Sequence, residues 1–206
     1  MTGDEPIHYD LVVYAEYSQF YLSDDDILAD TASPAFWSQD ALQRRLAVAP
    51  PGLIGVGTAT YDDVAVSLDV VDLSPGDDFD GWDQVVEASL QLNSGQLKIA
   101  GPLPHAPDVS FRVNVVPGTY RVRVYYGGLR VPGAEHYHIV MWRETTYDGP
   151  LILHAQTQPS RSPTYFALRV TNVMLGLGQL RRNPYEYSIR TRSQSRDVDP
   201  VQLADA

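Results

Sequence analysis

Two histidines and a glutamate occur at a spacing with which a metal ion could be bound. His136 and His138 lie in a segment of alternating residues, and Glu144 follows six residues after His138. Alternate residues of a β-strand project to the same side, so both imidazoles could reach one ion. The competing interpretation is that His136 and His138 are polar residues on the solvent side of a half-exposed strand and bind no metal. We favour the second interpretation and predict no cofactor.

The same spacing is similar to the start of a cupin metal site, where His-x-His on a strand precedes a glutamate. It departs from that pattern because five residues separate His138 from Glu144, where a cupin has three or four. The Pro-x-Gly and the later histidine of a cupin do not follow in order. A cupin-like metal-dependent enzyme using His136, His138 and Glu144 therefore stays an alternative.

A second group of candidate residues is the acidic segment at 77–83. Asp77, Asp78, Asp80 and Asp83 surround Gly81. Calcium favours several oxygen ligands on a tight loop, but this spacing is not that of an EF-hand. A solvated acidic turn is the favoured interpretation. The run Asp24-Asp25-Asp26 is likewise weak evidence for a magnesium-dependent nuclease site, because like charges repel and stay hydrated.

Composition excludes several classes of chemistry. The 206 residues contain no cysteine, which rules out disulfides, cysteine-ligated zinc and a thiol nucleophile. The net charge of −11 argues against direct binding to nucleic acid or to an anionic membrane. Acidic residues concentrate in the first half of the chain, which could attract a basic partner.

The 13 tyrosines, against 5 phenylalanines, are typical of half-exposed sheets and recognition surfaces.

The elements that would position these residues are strands, because the dominant hydrophobic period is two. The alternation is clearest in 119–126, where Tyr120, Val122 and Val124 oppose Arg121 and Arg123. We predict strands at 11–22, 53–60, 64–71, 82–92, 96–100, 109–116, 119–126, 136–143, 151–154, 165–173 and 185–190. The strands at 82–92 and 96–100 are expected to form a hairpin.

One segment has helical spacing, and one glycine pair has a structural interpretation. Ser38 precedes an acidic first turn, which predicts a short helix over 38–46. Gly55 and Gly57 lie in a strand and lack the third glycine of a dinucleotide fingerprint, so they indicate a bulge or a close backbone approach.

We predict an all-β antiparallel sandwich with one short inserted helix, as a single domain over 1–190. Residues 146–190 would be an extension of that domain, and residues 191–206 a flexible tail.

Four segments resemble a widespread group of bacterial β proteins that is similar to competence protein J, a small acidic inhibitor of a competence nuclease. They are the early run Tyr17-Ser18-Gln19-Phe20-Tyr21, the run 82–90 from Trp82, the run 117–123 from Pro117-Gly118, and Tyr137 to Trp142. The resemblance covers about residues 8–145. It implies a compact β-sandwich and a binding role without chemistry of its own.

The leading prediction is a non-enzymatic protein-binding module of the nuclease-inhibitor or immunity type. Its partner would be a basic nuclease or toxin, and the absence of a signal peptide pattern or apolar span favours the cytoplasm. A structural subunit whose β-edges pair with neighbours is a further alternative. The predicted contact residues are Asp77, Asp78, Asp80, Asp83 and Tyr125.

Overall fold

Short extended segments make up most of the structure, a computed structural model that describes residues 7–25, 27, 29–103 and 110–156. A single turn of 3-10 helix at Glu16–Ser18 separates the first two strands. The elements in chain order are β1 (Ile7–Tyr14), β2 (Gln19–Asp24), α1 (Gln39–Arg44), β3 (Leu46–Ala49), β4 (Leu53–Gly57), β5 (Asp63–Val71), β6 (Gln84–Leu92), β7 (Gln96–Ala100), β8 (Phe111–Asn114), β9 (Gly118–Gly127), β10 (His136–Arg143) and β11 (Leu151–Ala155).

The strands of the described residues form two sheets that share one hydrophobic core. The larger sheet has the order β1-β5-β10-β9-β6-β11, and the smaller has the order β3-β4-β2-β7-β8. Burying each large aliphatic side chain stabilises the fold by about 1.5–3 kcal/mol relative to its exposure. The all-β class and the two-layer arrangement are therefore confirmed. Fully buried core residues contributed by both sheets include Leu22, Ile54, Leu68, Val86, Leu97 and Val122.

One strand pair departs from the predicted antiparallel arrangement. β5 and β10 run parallel, from the pair Ala65–His136 to the pair Val71–Trp142. Parallel neighbours need a long connection between them, and here the chain between β5 and β10 passes through both sheets. All other pairings in the described part of the chain are antiparallel.

The predicted strand at 11–22 is wrong in its extent, because the chain changes sheets in the middle of it. β1 belongs to the larger sheet and β2 to the smaller. Between them Tyr17 and Ser18 both have a φ of 57°, a left-handed backbone that ends the first strand. The last buried residues of β1, Leu11 and Val13, are followed by a fully buried β2, so the apolar pattern continues across the break and hides it.

The predicted hairpin of 82–92 with 96–100 is also wrong. β6 pairs with β9 and β11, whereas β7 pairs with β2 and β8 in the other sheet. The turn at 93–95 therefore carries the chain from one layer to the other. A turn signal marks where the chain reverses, but it does not specify which strand becomes the neighbour.

Asp24 holds that turn in place. Its carboxylate is buried and accepts hydrogen bonds from the amides of Asn93 at 2.7 Å and Ser94 at 3.2 Å. Asp25 pairs with Arg112, whose Nε lies 3.0 Å from Oδ1. These two carboxylates of the acidic run thus have structural partners, and Asp26 lies outside the described residues.

The helix is confirmed, with a shorter extent than predicted. The hydroxyl of Ser38 accepts a hydrogen bond from the amide of Ala41 at 3.3 Å, the N-cap expected from the sequence. Arg45 adopts a left-handed conformation and ends the helix, so that Leu46 begins β3 instead of completing the last turn.

The close backbone approach predicted for the glycine pair is confirmed at Gly55. A Cβ atom there would lie 2.9 Å from the ring of Phe36 and 3.1 Å from that of Trp37. Both rings are buried on the outer face of the smaller sheet, in a cluster that also contains Tyr21 and Leu53.

Gly55→Ala is expected to lower the free energy of unfolding by about 1–2 kcal/mol, because the added methyl group overpacks the site against two buried rings. This cost outweighs the stabilisation that alanine brings by lowering the conformational entropy of the unfolded chain. Gly76→Ala is the matched control, since a Cβ there meets no atom within 4 Å. Urea unfolding of both variants checks this, and equal effects at the two positions would contradict the packing explanation.

The predicted strand at 151–154 is observed as β11, which pairs with the edge of β6. The strands predicted at 165–173 and 185–190, the remainder of the extension from 157 and the tail at 191–206 lie outside the described residues. In the described part of the chain, no helix has the length and apolar character that crossing a membrane requires.

Candidate protein-binding surface

The segment from Asp72 to Asp83, which we call the acidic loop, joins β5 to β6. Strand alternation places Arg121, Arg123 and Tyr125 of β9 on the face of the larger sheet that points away from the core. The acidic loop lies across this outer face, because its backbone and its aromatic side chains contact Arg123 and Tyr125.

Arg123 fixes the middle of the acidic loop. Its Nη1 donates to the carbonyl of Gly76 at 2.9 Å, and its Nη2 donates to the carboxylate of Asp77 at 3.1 Å. The same guanidinium lies 5.4 Å from the centre of the Phe79 ring and 5.6 Å from that of Trp142. The loop is therefore attached through backbone, ionic and cation–π contacts to a buried cation.

Arg123 is itself held by a buried ion triad, which lies between the acidic loop and the larger sheet. Glu87 of β6 accepts hydrogen bonds from Nε of Arg121 at 3.0 Å and from Nε of Arg123 at 2.6 Å. All three side chains are buried, and Arg121 also donates to Ser89 at 3.3 Å and to the carbonyl of Asp148 at 3.1 Å. Sequence reasoning missed the triad, although two arginines at alternate positions of an apolar strand were a signal for it.

Aromatic packing holds the end of the acidic loop. The ring of Trp82 lies 5.2 Å from Tyr125, 5.3 Å from His136 and 6.1 Å from His138. Tyr125 is only 5% exposed. Its ring packs beneath the loop, so little of the Tyr125 side chain reaches the surface.

The acidic loop presents carboxylates and one apolar side chain to solvent. Asp78 and Asp80 are exposed, the Asp77 side chain is 77% exposed, and Leu73 is 80% exposed. Asp83 differs from these residues, because its carboxylate accepts a hydrogen bond from the amide of Leu129 at 2.9 Å. Of the four predicted aspartates, Asp78 and Asp80 are exposed, Asp77 is exposed while it pairs with Arg123, and Asp83 anchors the end of the loop.

The histidines of the alternative, metal-binding interpretation contact other groups. Nε2 of His138 lies 2.7 Å from Asp69, and Nδ1 of His136 lies 2.9 Å from the carbonyl of Ala134. Glu144 lies past the far end of β10, about 20 Å from His138 at 3.3 Å per residue. It therefore cannot share an ion with the histidines. No cluster of three residues suited to a metal occurs in the described part of the chain.

Asp69 instead joins two imidazoles across the outer face of the sheet. Its Oδ1 lies 2.5 Å from Nδ1 of His8, and its Oδ2 faces His138. Nε2 of His8 is also 3.3 Å from Asp10. The hydrogen bond to Asp69 is the main cause that raises the pKa of His8 above its usual value of 6.5, against a smaller opposing effect of burial.

His8→Gln is expected to destabilise the protein at pH 5.5 and to have little effect at pH 8. The pKa of His8 is higher in the folded protein than in the unfolded chain. The stabilisation by protonated His8 is therefore fully present below the pKa of the unfolded state, and it is lost as the pH rises through the pKa of the folded state. Since His8 is exposed, we expect about 0.5 kcal/mol or less. Urea unfolding at the two pH values measures this. His136→Gln is the control, and an equal pH dependence in both variants would contradict the account.

These features define an all-β sandwich with an acidic loop packed on one outer face. The fold is similar to that of ComJ from Bacillus subtilis, described as an inhibitor of the DNA degrading activity of NucA. The TM-score is 0.51 at 12% identity, over 69% of this chain and 98% of that chain. A second similar structure is that of crocagin biosynthetic gene J, with a TM-score of 0.47 at 19% identity, over 68% of this chain and 99% of that chain.

The resemblance to competence protein J is therefore confirmed at the level of the fold. No family model matches the chain, and no curated protein matches its sequence.

Proposed function

We propose that this protein is a non-enzymatic binding module of the inhibitor type, and that the acidic loop docks into the basic cleft of a nuclease or toxin. The observation that carries the proposal is the attachment of the loop to the buried Arg123, which leaves Asp77, Asp78 and Asp80 exposed on a fixed backbone. The fold shared with ComJ adds support, because that protein is described as an inhibitor of a DNA-degrading activity.

Preorganisation is what distinguishes this loop from an ordinary solvated acidic turn. A loop that is already ordered before binding loses less conformational entropy when a partner is bound. Its clustered carboxylates would raise the association rate with a basic surface and exclude acidic partners. Leu73 of the same loop is 80% exposed and supplies an apolar group, of the kind that protein interfaces bury.

An affinity experiment tests the proposal. The wild-type protein and the Asp78→Lys/Asp80→Lys variant are immobilised separately and exposed to nuclease-treated extract of the native host. We expect a basic protein to be retained by the wild-type column alone and to elute with salt, because screening weakens charge pairing. Identical sets of proteins on the two columns would contradict the proposal.

A further inference from the structure

Three tyrosines meet at one end of the sandwich, away from the predicted contact residues. The ring of Tyr61 lies 6.0 Å from Tyr14 and 5.8 Å from Tyr17, with interplanar angles of 88° and 83°. Tyr61 is 38% exposed, while Tyr14 and Tyr17 are half-buried. We call this cluster the tyrosine end. Its rings pack against one another, and they present ring surface and hydroxyl groups to the solvent.

The tyrosine end lies in a field of negative charge. Burial and then Glu16, Asp62 and Asp63 raise the pKa of Tyr14, against an opposing hydrogen bond with Tyr61. Burial and then Tyr14 and Glu16 raise the pKa of Tyr61 to about 12. Burial and then the adjacent Asp62 raise the pKa of Asp63, so a cation placed at this end would relieve repulsion between neighbouring carboxylates.

The backbone adopts an unfavourable conformation to build the tyrosine end. Tyr17 and Ser18 both have a φ of 57°, in the left-handed region that costs a non-glycine residue about 1–2 kcal/mol. Such outliers persist where the surrounding structure fixes them, and they are frequent at binding sites. Here they turn the chain between β1 and β2 so that Tyr17 packs against Tyr61.

We propose that the tyrosine end is a second docking site, which receives an arginine side chain from a loop of a protein partner. A planar guanidinium can stack on a tyrosine ring while it pairs with carboxylates, and both groups are present at this end. Tyrosine is also enriched among the residues that dominate binding energy at protein interfaces. The site stands independently of the acidic loop, since none of its residues belongs to that loop.

The test is an NMR titration of the isotope-labelled full chain with N-acetyl-arginine amide at constant ionic strength. We expect saturable shifts of the ring signals of Tyr14, Tyr17 and Tyr61 and of the amides of Asp62 and Asp63. Tyr61→Ser is expected to weaken the apparent affinity at least fivefold, because it removes the ring that contacts both others. Tyr61→Phe is expected to retain most of the affinity.

The matched control removes the same charge at exposed sites outside both proposed surfaces. Asp62→Asn/Asp63→Asn is expected to weaken binding of the arginine probe at least fivefold, whereas Asp40→Asn/Glu144→Gln leaves it unchanged. Equal effects of the two double variants, or shifts spread over all exposed carboxylates, would mean general ion screening and would overturn the inference. Because the probe needs no partner protein, this outcome is separate from that of the affinity experiment on the acidic loop.

Discussion

Replacing Glu87 by glutamine is expected to lower the free energy of unfolding by about 3–5 kcal/mol, the cost of leaving buried charge uncompensated. The substitution keeps the shape of the side chain and removes only its charge. Arg121 and Arg123 would then lie in a buried site without the carboxylate that both contact. The amide group also brings N–H donors toward guanidinium donors, so at least one hydrogen bond is lost.

Urea unfolding followed by tryptophan fluorescence measures this effect. Domains of this size have about 5–15 kcal/mol of stability, so the expected loss is a large part of the total. Glu144→Gln is the matched control, because Glu144 is exposed and its loss of charge should cost less than about 0.5 kcal/mol. A Glu87→Gln effect as small as that of the control would show that the triad does not hold the outer face together.

The second large effect is expected on binding. Asp78→Lys/Asp80→Lys should weaken the complex with a basic partner about 100-fold, equivalent to about 2.7 kcal/mol, with unfolding free energy nearly unchanged. Both side chains are exposed, so the reversal places two positive charges against the basic cleft without disturbing the packing of Phe79 or Trp82. Titration calorimetry with the partner isolated by affinity gives the dissociation constants.

The matched control is Asp40→Lys/Glu144→Lys, which changes the net charge equally at exposed sites outside the acidic loop. It should weaken binding less than about tenfold, because only long-range attraction is reduced. If both double variants weaken binding to the same extent, net charge alone governs association and the acidic loop is not the contact surface.

Local pattern predicted the individual elements well. The alternation along β9 identifies its inward residues, and Ser38 marks the start of α1, because these signals depend on neighbouring residues only. The close approach at Gly55 was also predictable, since a glycine within an apolar strand leaves room for something to pack there.

Pairing between strands could not be predicted in the same way. The turns after β1 and β6 each carry the chain to the opposite sheet, and nothing in their residues specifies the new neighbour. The parallel pairing of β5 with β10 depends on contacts between residues about 70 positions apart. Single-sequence patterns do not contain this information.

The candidate site shows the same division between local and distant information. Asp77, Asp78 and Asp80 were predicted because clustered aspartates favour exposed loops, and they are exposed. The burial of Tyr125 was missed, because it results from Phe79 and Trp82 folding back over the sheet.

The most direct measurement is a titration of nuclease activity. The basic protein eluted from the wild-type affinity column is assayed on linear DNA with increasing amounts of the wild-type protein or of the Asp78→Lys/Asp80→Lys variant. We predict stoichiometric inhibition by the wild type that salt relieves, and a shift of the variant's inhibition curve to about 100-fold higher concentration. Unchanged DNA cleavage at a large molar excess of the wild-type protein, or equal inhibition by both proteins, would contradict it.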